Sequence, residues 1–361
     1  MADPNKSQAN LALNVALRGR ARQTSMAAAA SFYAQGAPGT AAPMKNDDEG
    51  AAKSAKGASV TPAPPAPTAA AAAPVETKKA VLVGINYVGT TSELHGCVND
   101  IHDMCQLCVG WGYTEICVLL DGEWPGQEPI PKIPAQLPGL NGRAPTRANI
   151  EAALRWLVAG AAKGGHRFFH YSGHGSQLRD QVGEDRDEPS GWDDTIVPVD
   201  FDRAGQIRDD ELRAILVEPL AGTPMRLRAV LDCCHSGTGF DLRNTLYDVS
   251  RFGRRSFKTG KPEEEHIFVM RTTAAPSAHA AADVLMVSGC ADFQTADDAV
   301  FNGRANGALT RFLVNYLKGR FMVRAGEMLV VVRESIRKAA YDQVPQLSSE
   351  KPLTPDTLFD L

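Results

Sequence analysis

Two segments of the sequence carry a histidine and a cysteine at the point where an apolar run gives way to polar, glycine-containing sequence. They are residues 166–177 (HRFFHYSGHGSQ) and 227–237 (LRAVLDCCHSG). Such runs are typical of buried strands in a parallel sheet, and ligands bind at the carboxyl edge where these strands end. A cysteine thiol has an ordinary pKa of about 8.5, so it needs a base at neutral pH. We therefore predict that His174 is the general base and acid, and that Cys234 is the nucleophile.

The glycines on both sides of His174 have a predicted role in binding the substrate backbone and the oxyanion. Gly173 and Gly175 allow a substrate backbone to come close, and they offer unobstructed N–H groups. We predict an oxyanion hole formed by the N–H groups of Gly175 and Cys234. Cys233 points to the opposite strand face and is interpreted as a small buried hydrophobe. A lone histidine is more often structural, but here the two matching strand ends favour catalysis.

The motifs HYSGHG (170–175) and DCCHSG (232–237) resemble those of the metacaspases, the caspase-like cysteine peptidases of plants, fungi, algae and protozoa. The resemblance covers the chain from Lys79 to Leu361. It includes VGINY (83–87), LHGCVND (94–100), PTRAN (145–149), PVDF (198–201) and VSGCAD (287–292), in the family's order. A proline-rich leader, a larger region and then a smaller region after a modest linker are similar to type I metacaspases.

The resemblance implies a calcium-dependent cysteine endopeptidase that cleaves protein or peptide substrates after Arg or Lys. The alternative from another class is a latent or non-catalytic caspase-like interaction protein. Another peptidase of the same broad clan, legumain-like or separase-like, is a second alternative, against which the acidic pocket and calcium aspartates argue. A serine hydrolase is disfavoured because the sequence contains no G-x-S-x-G elbow.

An acidic pocket is needed to hold an arginine or lysine side chain. The resemblance places the substrate-binding residues at Cys97, Asp100, Ser172 and Asp232. Asp232 lies two residues before Cys234 and therefore shares its strand face, where a carboxylate can pair with a guanidinium. The alternative for Asp100 is a charge at a helix N-terminus.

A further set of acidic residues suits a metal. Calcium takes six to eight oxygen ligands, and no EF-hand loop is present in the sequence. The resemblance implies a Ca²⁺ site formed by Asp193, Asp209, Asp210 and Asp241. The acidic run 184–188 is better interpreted as a solvated loop, and Asp209 has the alternative of a helix cap. Asp241 links the site to the loop after Cys234, so we expect calcium to reposition that loop.

Composition divides the chain into two parts. Residues 1–77 are rich in Ala and Pro and have few aromatic residues, which predicts a disordered N-terminal prodomain. Residues 78–361 are predicted to form one caspase-like peptidase domain, with a large catalytic region (78–246), a basic linker (247–282) and a small region (283–361). The linker is a candidate site of cleavage, in the same or a neighbouring molecule, by a peptidase that cuts after basic residues; the alternative is an exposed basic loop. Its basic residues are Arg251, Arg254, Arg255, Lys258, Lys261 and Arg271.

Strands that alternate with helices predict an α/β fold with a mainly parallel sheet covered on both faces. The strands are predicted at 80–85, 116–120, 168–171, 195–199, 226–231 and 285–288. The helices are predicted at 99–108, 146–162, 209–216, 308–317 and 325–341. The resemblance adds the topology, a caspase-like sheet of six to eight strands.

Charge and cysteine usage limit partners and compartment. The net charge of −4 gives no support for a nucleic-acid partner, and no apolar run reaches the length of a membrane span, about 18 residues. Seven cysteines in no disulfide framework fit a reducing compartment, so we expect a cytoplasmic protein. The arginine-containing segment 11–31 leaves an organelle transit peptide as the alternative. A monomer is expected from the family.

Overall fold

A computed structural model describes residues 77–137, 140, 142–179, 191–234, 239–248, 251–255, 262–265, 268–272, 281–289, 298–301, 303–341 and 343–360. These residues form one compact unit. The predicted prodomain therefore lies outside the described residues except for Thr77, as do the acidic run 184–188 and much of the predicted linker.

Eight strands form the central sheet. They are β1 (Lys78–Gly84), β2 (Glu115–Leu120), β3 (Gly165–Ser172), β7 (Met225–Asp232), β8 (Asn244–Asp248), β11 (Phe268–Thr272), β12 (Asp283–Ser288) and β16 (Gln346–Ser349). Their spatial order is β11-β8-β16-β12-β7-β3-β1-β2. The five strands from β12 to β2 are parallel, and β16, β8 and β11 are added antiparallel. The predicted sheet of six to eight mainly parallel strands is confirmed.

The helices cover both faces of this sheet. They are α1 (Cys97–Gly110), α2 (Arg147–Val158), α3 (Phe201–Ala204), α4 (Asp209–Leu216), α5 (Ala308–Leu317) and α6 (Ala325–Lys338). Alternate residues of β1 point to opposite faces, so Val81 and Val83 pack with α2 and α4, whereas Ala80 and Leu82 pack with α1, α5 and α6. Each fully buried aliphatic side chain contributes roughly 1.5–3 kcal/mol to these two cores.

Helix α2 shows how local sequence sets an element. The Thr146 hydroxyl accepts a hydrogen bond from the Asn149 N–H and caps the helix at its predicted start. Ile150 and Leu154 are fully buried, as the apolar spacing predicts. The prediction overshoots the end, because the chain leaves the helix after Val158 and Gly160 adopts φ +81°.

The smaller sheets surround the central one. They are β4 (Gly175–Arg179) with β5 (Trp192–Ile196) and β6 (Ile207–Arg208), β9 (Arg251–Arg255) with β10 (Pro262–Glu265), β13 (Asp298–Phe301) with β14 (Arg304–Gly307), and β15 (Met322–Arg324) with β17 (Leu358–Asp360). The predicted strand 195–199 overlaps β5, which pairs antiparallel with β4 and lies outside the central sheet. Three strands, β9, β10 and β11, lie within the predicted linker, and β11 extends the central sheet through β8.

The parallel strands end in register at one edge. Gly84 of β1 is level with Ser172 of β3, and Ser172 is level with Asp232 of β7. His174 and Cys234 each follow two residues later. The sheet therefore brings Ser172 and Asp232, at the ends of β3 and β7, to the same edge as the two residues that follow them, His174 and Cys234.

Candidate active site

The segments carrying His174 and Cys234 are in direct contact. The Gly173 N–H donates to the Asp232 carbonyl at 3.4 Å. A Cβ atom on Gly175 would lie 1.8 Å from the Cys234 carbonyl oxygen, so the backbone after His174 packs tightly on the backbone of Cys234. Only glycine fits at this position. The structure thus brings together both residues of the predicted dyad and both residues of the predicted oxyanion hole.

The imidazole of His174 is oriented by a backbone carbonyl. Its Nε2 lies 2.7 Å from the Ser92 carbonyl oxygen. A carbonyl can only accept, so Nε2 carries the proton and Nδ1 carries the lone pair. In this tautomer, Nδ1 is the nitrogen that can take a proton from a thiol.

The two adjacent cysteines lie in different environments. Cys233 is buried in the core under the sheet, with 1% of its surface exposed, whereas Cys234 is partly exposed. Successive strand residues alternate faces, which gives this difference. The accessible thiol is the one that the sequence predicts as the nucleophile.

Asp100 and Asp232 form a buried acidic pair beside the nucleophile. Asp100 lies in the first turn of α1 and is fully buried, and Asp232 is 4% exposed at the end of β7. A Cβ atom on Gly307 would lie 2.2 Å from Asp232 Oδ2 and 2.8 Å from Asp100 Oδ2, so these oxygens are no more than about 5 Å apart. Burial, and next the charge of Asp232, raise the pKa of Asp100 well above its usual value.

Ser172 and Cys97, the other predicted pocket residues, lie at the same edge. The Ser172 hydroxyl donates to Asp100 Oδ2 at 2.7 Å. Cys97 is buried one turn before Asp100, and its N–H donates to the Asn86 side-chain oxygen at 3.0 Å. Ser172 therefore joins the acidic pair directly, whereas Cys97 lies at the start of the helix that carries Asp100.

The junction of β14 and α5 supplies pocket residues that the sequence analysis missed. Asn306 Nδ2 donates to Asp100 Oδ1 at 2.9 Å, and the Gly307 N–H donates to both Asp100 oxygens at 3.1 and 2.9 Å. The Thr310 N–H donates to Asp232 Oδ2 at 2.7 Å. Helix N-termini favour anions, so the predicted start of α5 was the available signal. No local sequence pattern indicated that the N–H groups at this helix start would bind the carboxylates of Asp100 and Asp232.

Asp193, Asp209 and Asp210 converge at a second site. One ligand atom from each lies within 4.8 Å of the others. Asp193 comes from β5 and forms an ion pair with Arg208, and Asp209 and Asp210 open α4. The Asp209 oxygens accept from the N–H groups of Asp194 and Asp210 at 2.8 and 3.0 Å. Carboxylate oxygens bonded in this way keep further lone pairs, so the three residues fit a hard cation such as calcium.

Asp241 is not a member of that cluster of described residues. It has φ +47°, and its carbonyl accepts from Arg213 Nη1 at 2.6 Å. Arg213 lies on α4, the helix that Asp209 and Asp210 begin. The structure therefore brings three of the four predicted calcium ligands together and connects the fourth to them through one helix.

The sheet and the cysteine–histidine pair at adjacent strand ends define a cysteine peptidase of caspase-like fold. The family model described as "Metacaspase, peptidase C14 domain" matches residues 78–243. "Metacaspase-1" of Mycosarcoma maydis is 35% identical over 315 residues, covering 78% of this chain and 72% of the relative. "Metacaspase-1" of Scheffersomyces stipitis is 37% identical over 306 residues, covering 76% and 71%.

The chain belongs to the metacaspase family and is a cysteine-type peptidase, a hydrolase that acts on protein or peptide substrates. A solved structure of a Geobacter sulfurreducens protein also matches, with a TM-score of 0.48 and 23% identity, covering 77% of this chain and 95% of that one. It is too distant to bear on the site. Within the described part of the chain, no helix is long and apolar enough to cross a membrane.

Proposed function

We propose that this metacaspase is a calcium-dependent endopeptidase that cleaves after Arg or Lys. The observation that carries the proposal is the buried Asp100–Asp232 pair at the edge that bears Cys234. Two buried carboxylates repel each other, and a guanidinium or ammonium group between them relieves the repulsion. Acidic substrate side chains are rejected for the same reason.

The chemistry follows from the tautomer of His174. Nδ1 takes the thiol proton of Cys234, and the thiolate attacks the carbonyl carbon of the scissile bond. The N–H groups of Gly175 and Cys234 donate to the oxyanion. Nε2 keeps its hydrogen bond to the Ser92 carbonyl throughout, and Nδ1 returns the proton to the leaving amine. Water, deprotonated by the same nitrogen, then hydrolyses the acyl-enzyme.

The calcium part of the proposal rests on the carboxylate cluster. Asp193, Asp209 and Asp210 would hold the ion, which supplies positive charge among three acidic groups. Ion binding at the start of α4 would act on Asp241 through Arg213, which lies on that helix and donates to the Asp241 carbonyl. Asp241 belongs to the loop that follows Cys234. Calcium is thereby expected to reposition that loop for substrate binding.

Self-processing belongs to the same proposal. The segment 247–282 is rich in basic residues, which match the proposed specificity. Purified wild-type protein is expected to be cut there when calcium is added. A Cys234→Ala protein that is cut at the same place would rule out self-cleavage.

The first experiment measures cleavage of fluorogenic peptides that end in Arg, Lys or Asp, with calcium or with a chelator. Wild-type protein is expected to cleave the Arg and Lys peptides only with calcium, and Cys234→Ala is expected to cleave none. Cleavage after Asp, or activity that the chelator leaves unchanged, would refute the corresponding part of the proposal. Asp209→Asn tests the calcium site separately, because it should raise the calcium concentration required without changing the preferred peptide.

A further inference from the structure

Two buried tyrosines meet the backbone of His174. Tyr171 is fully buried in β3, and Tyr87, which is 3% exposed, follows β1. Their hydroxyl oxygens are 3.1 Å apart. Burial raises the pKa of both phenols well above the usual value, so both stay protonated and each has one hydrogen to donate. The mechanism described above uses neither of them.

The hydroxyl groups hold both backbone polar groups of His174. The His174 N–H donates to Tyr87 Oη at 3.0 Å, and Tyr171 Oη donates to the His174 carbonyl at 2.7 Å. The Tyr87 hydroxyl donates to the Val197 carbonyl at 2.6 Å, and the Val197 N–H donates to the His174 carbonyl at 3.2 Å. These bonds form a closed network in which every donor has an acceptor, and such networks are rigid.

Tyr87 also reaches the imidazole itself. The two ring centroids are 4.6 Å apart, and the planes are tilted by 33°. The Tyr87 carbonyl accepts from the Thr90 N–H at 3.1 Å and from the Thr90 hydroxyl at 2.8 Å. This turn begins the loop that carries Ser92, whose carbonyl accepts from His174 Nε2. One residue therefore contacts the histidine backbone, packs on its ring and folds the loop that fixes its tautomer.

Asp121 holds Tyr87 in an uncommon conformation. Tyr87 has φ +53°, in the left-handed region that bulky residues rarely adopt. The Asp121 carboxylate accepts from three successive N–H groups, those of Asn86 at 2.7 Å, Tyr87 at 2.6 Å and Val88 at 3.4 Å. Charge-assisted hydrogen bonds of this kind are strong enough to hold such a turn. Asp121 directly follows β2, so a second strand end secures the position of Tyr87.

We propose that Tyr87 and Tyr171 are positioning residues for the catalytic histidine, and that Asp121 acts through Tyr87. Together they fix the backbone of His174, the packing of its ring and the acceptor for Nε2, so that Nδ1 points its lone pair at the Cys234 thiol. The inference rests on the assignment of His174 as the base.

The test uses Tyr87→Phe, which keeps the ring and removes the hydroxyl. We expect kcat for an arginyl peptide, per titrated active site, to fall by about 10- to 100-fold, because small misplacements of catalytic groups are costly. KM should stay within about twofold, since the acidic pair is untouched. Alkylation of Cys234 by iodoacetamide, followed against pH without substrate, should slow at neutral pH and shift to higher pH.

The matched control is Tyr113→Phe. Tyr113 is also a buried tyrosine, but it packs in the core on the other face of the sheet, and its hydroxyl has no hydrogen-bond partner among the described residues. Both kcat and the alkylation profile should equal those of wild type. The comparison of the two variants separates the effect of losing a buried tyrosine hydroxyl from the effect of losing the contact with His174.

Asp121→Asn is the second variant, and it carries the test if Tyr87→Phe does not fold. It should lower kcat and shift the alkylation profile in the same direction. If His174→Ala is inactive while Tyr87→Phe and Asp121→Asn match wild type in both measurements, this inference is overturned and the assignment of the base stands. If His174→Ala is as active as wild type, the assignment of the base fails and the inference fails with it.

Discussion

Gly307→Ala should block the acidic pocket while leaving the catalytic dyad intact. The backbone of Gly307 has φ −64° and ψ 140°, which any residue can adopt, so space rather than conformation excludes a side chain. The new methyl group would lie 2.2 Å from Asp232 Oδ2 and 2.8 Å from Asp100 Oδ2. Van der Waals contact between heavy atoms requires about 3.5 Å, so the carboxylates or the β14–α5 junction must move by on the order of 1 Å.

The expected loss follows from that displacement. A shift of this size in groups that position a substrate reduces kcat/KM by on the order of 100-fold, which corresponds to about 3 kcal/mol of transition-state stabilisation. Overpacking should also lower the free energy of unfolding by about 1–3 kcal/mol. The Gly307 N–H bonds to Asp100 would weaken at the same time, because donor and acceptor are displaced together.

The assay compares kcat/KM for arginyl and lysyl peptides with the rate of Cys234 alkylation by iodoacetamide. Gly307→Ala should show kcat/KM reduced by about 100-fold and keep the wild-type alkylation rate. Gly110→Ala is the control, since Gly110 is the last residue of α1 and a Cβ there meets nothing within 4 Å. A Gly307→Ala protein with wild-type kcat/KM would refute the assignment of the Asp100–Asp232 pair as the binding site for the basic side chain.

Three further predictions concern charge and capping. Burial, and next the charge of Asp232, raise the pKa of Asp100, so KM for arginyl peptides should fall as pH rises and Asp100 ionises. Asp232→Asn removes that charge and should move this dependence to lower pH; an unmoved KM–pH profile would contradict it. Burial lowers the pKa of His170 from 6.5 to about 4. The folded protein therefore binds a proton there more weakly than the unfolded chain, and the free energy of unfolding should decrease by roughly 3 kcal/mol between pH 6.5 and pH 4. His170→Asn should remove this loss in urea titrations. Thr146→Ala should lower the free energy of unfolding by about 1 kcal/mol, whereas Thr146→Ser should not; equal urea midpoints for both variants would exclude the cap.

Several elements could be predicted from the sequence because their signals are local. Helix α4 (Asp209–Leu216) and helix α5 (Ala308–Leu317) begin and end where the apolar spacing and flanking residues predict. Strands β1 and β12 contain the continuous apolar runs 80–83 and 284–287. The period of two along a strand places Asp232, at the end of β7, on the same face as Cys234. These features depend on residues a few positions apart.

The positions of the three antiparallel strands of the central sheet were not predicted. Strands β8, β11 and β16 are short, and β11 lies in a segment whose basic composition indicates a linker. Strand β16 pairs with both β12 and β8, which joins segments far apart in the chain, and β11 pairs with β8. Single-strand patterns do not identify such partners. Only the folded sheet decides which strands become neighbours.

By itself, the sequence determined the chemistry that this protein can perform, because the residue types at the ends of β3 and β7 are fixed locally and their faces follow from the strand period. Tertiary structure alone decided what surrounds those residues. Asn306 meets Asp100 across 206 positions, and Tyr87 meets His174 across 87. Such contacts arise from the packing of whole helices and strands, which no short pattern encodes, and they set the environment of the acidic pair and the orientation of the histidine.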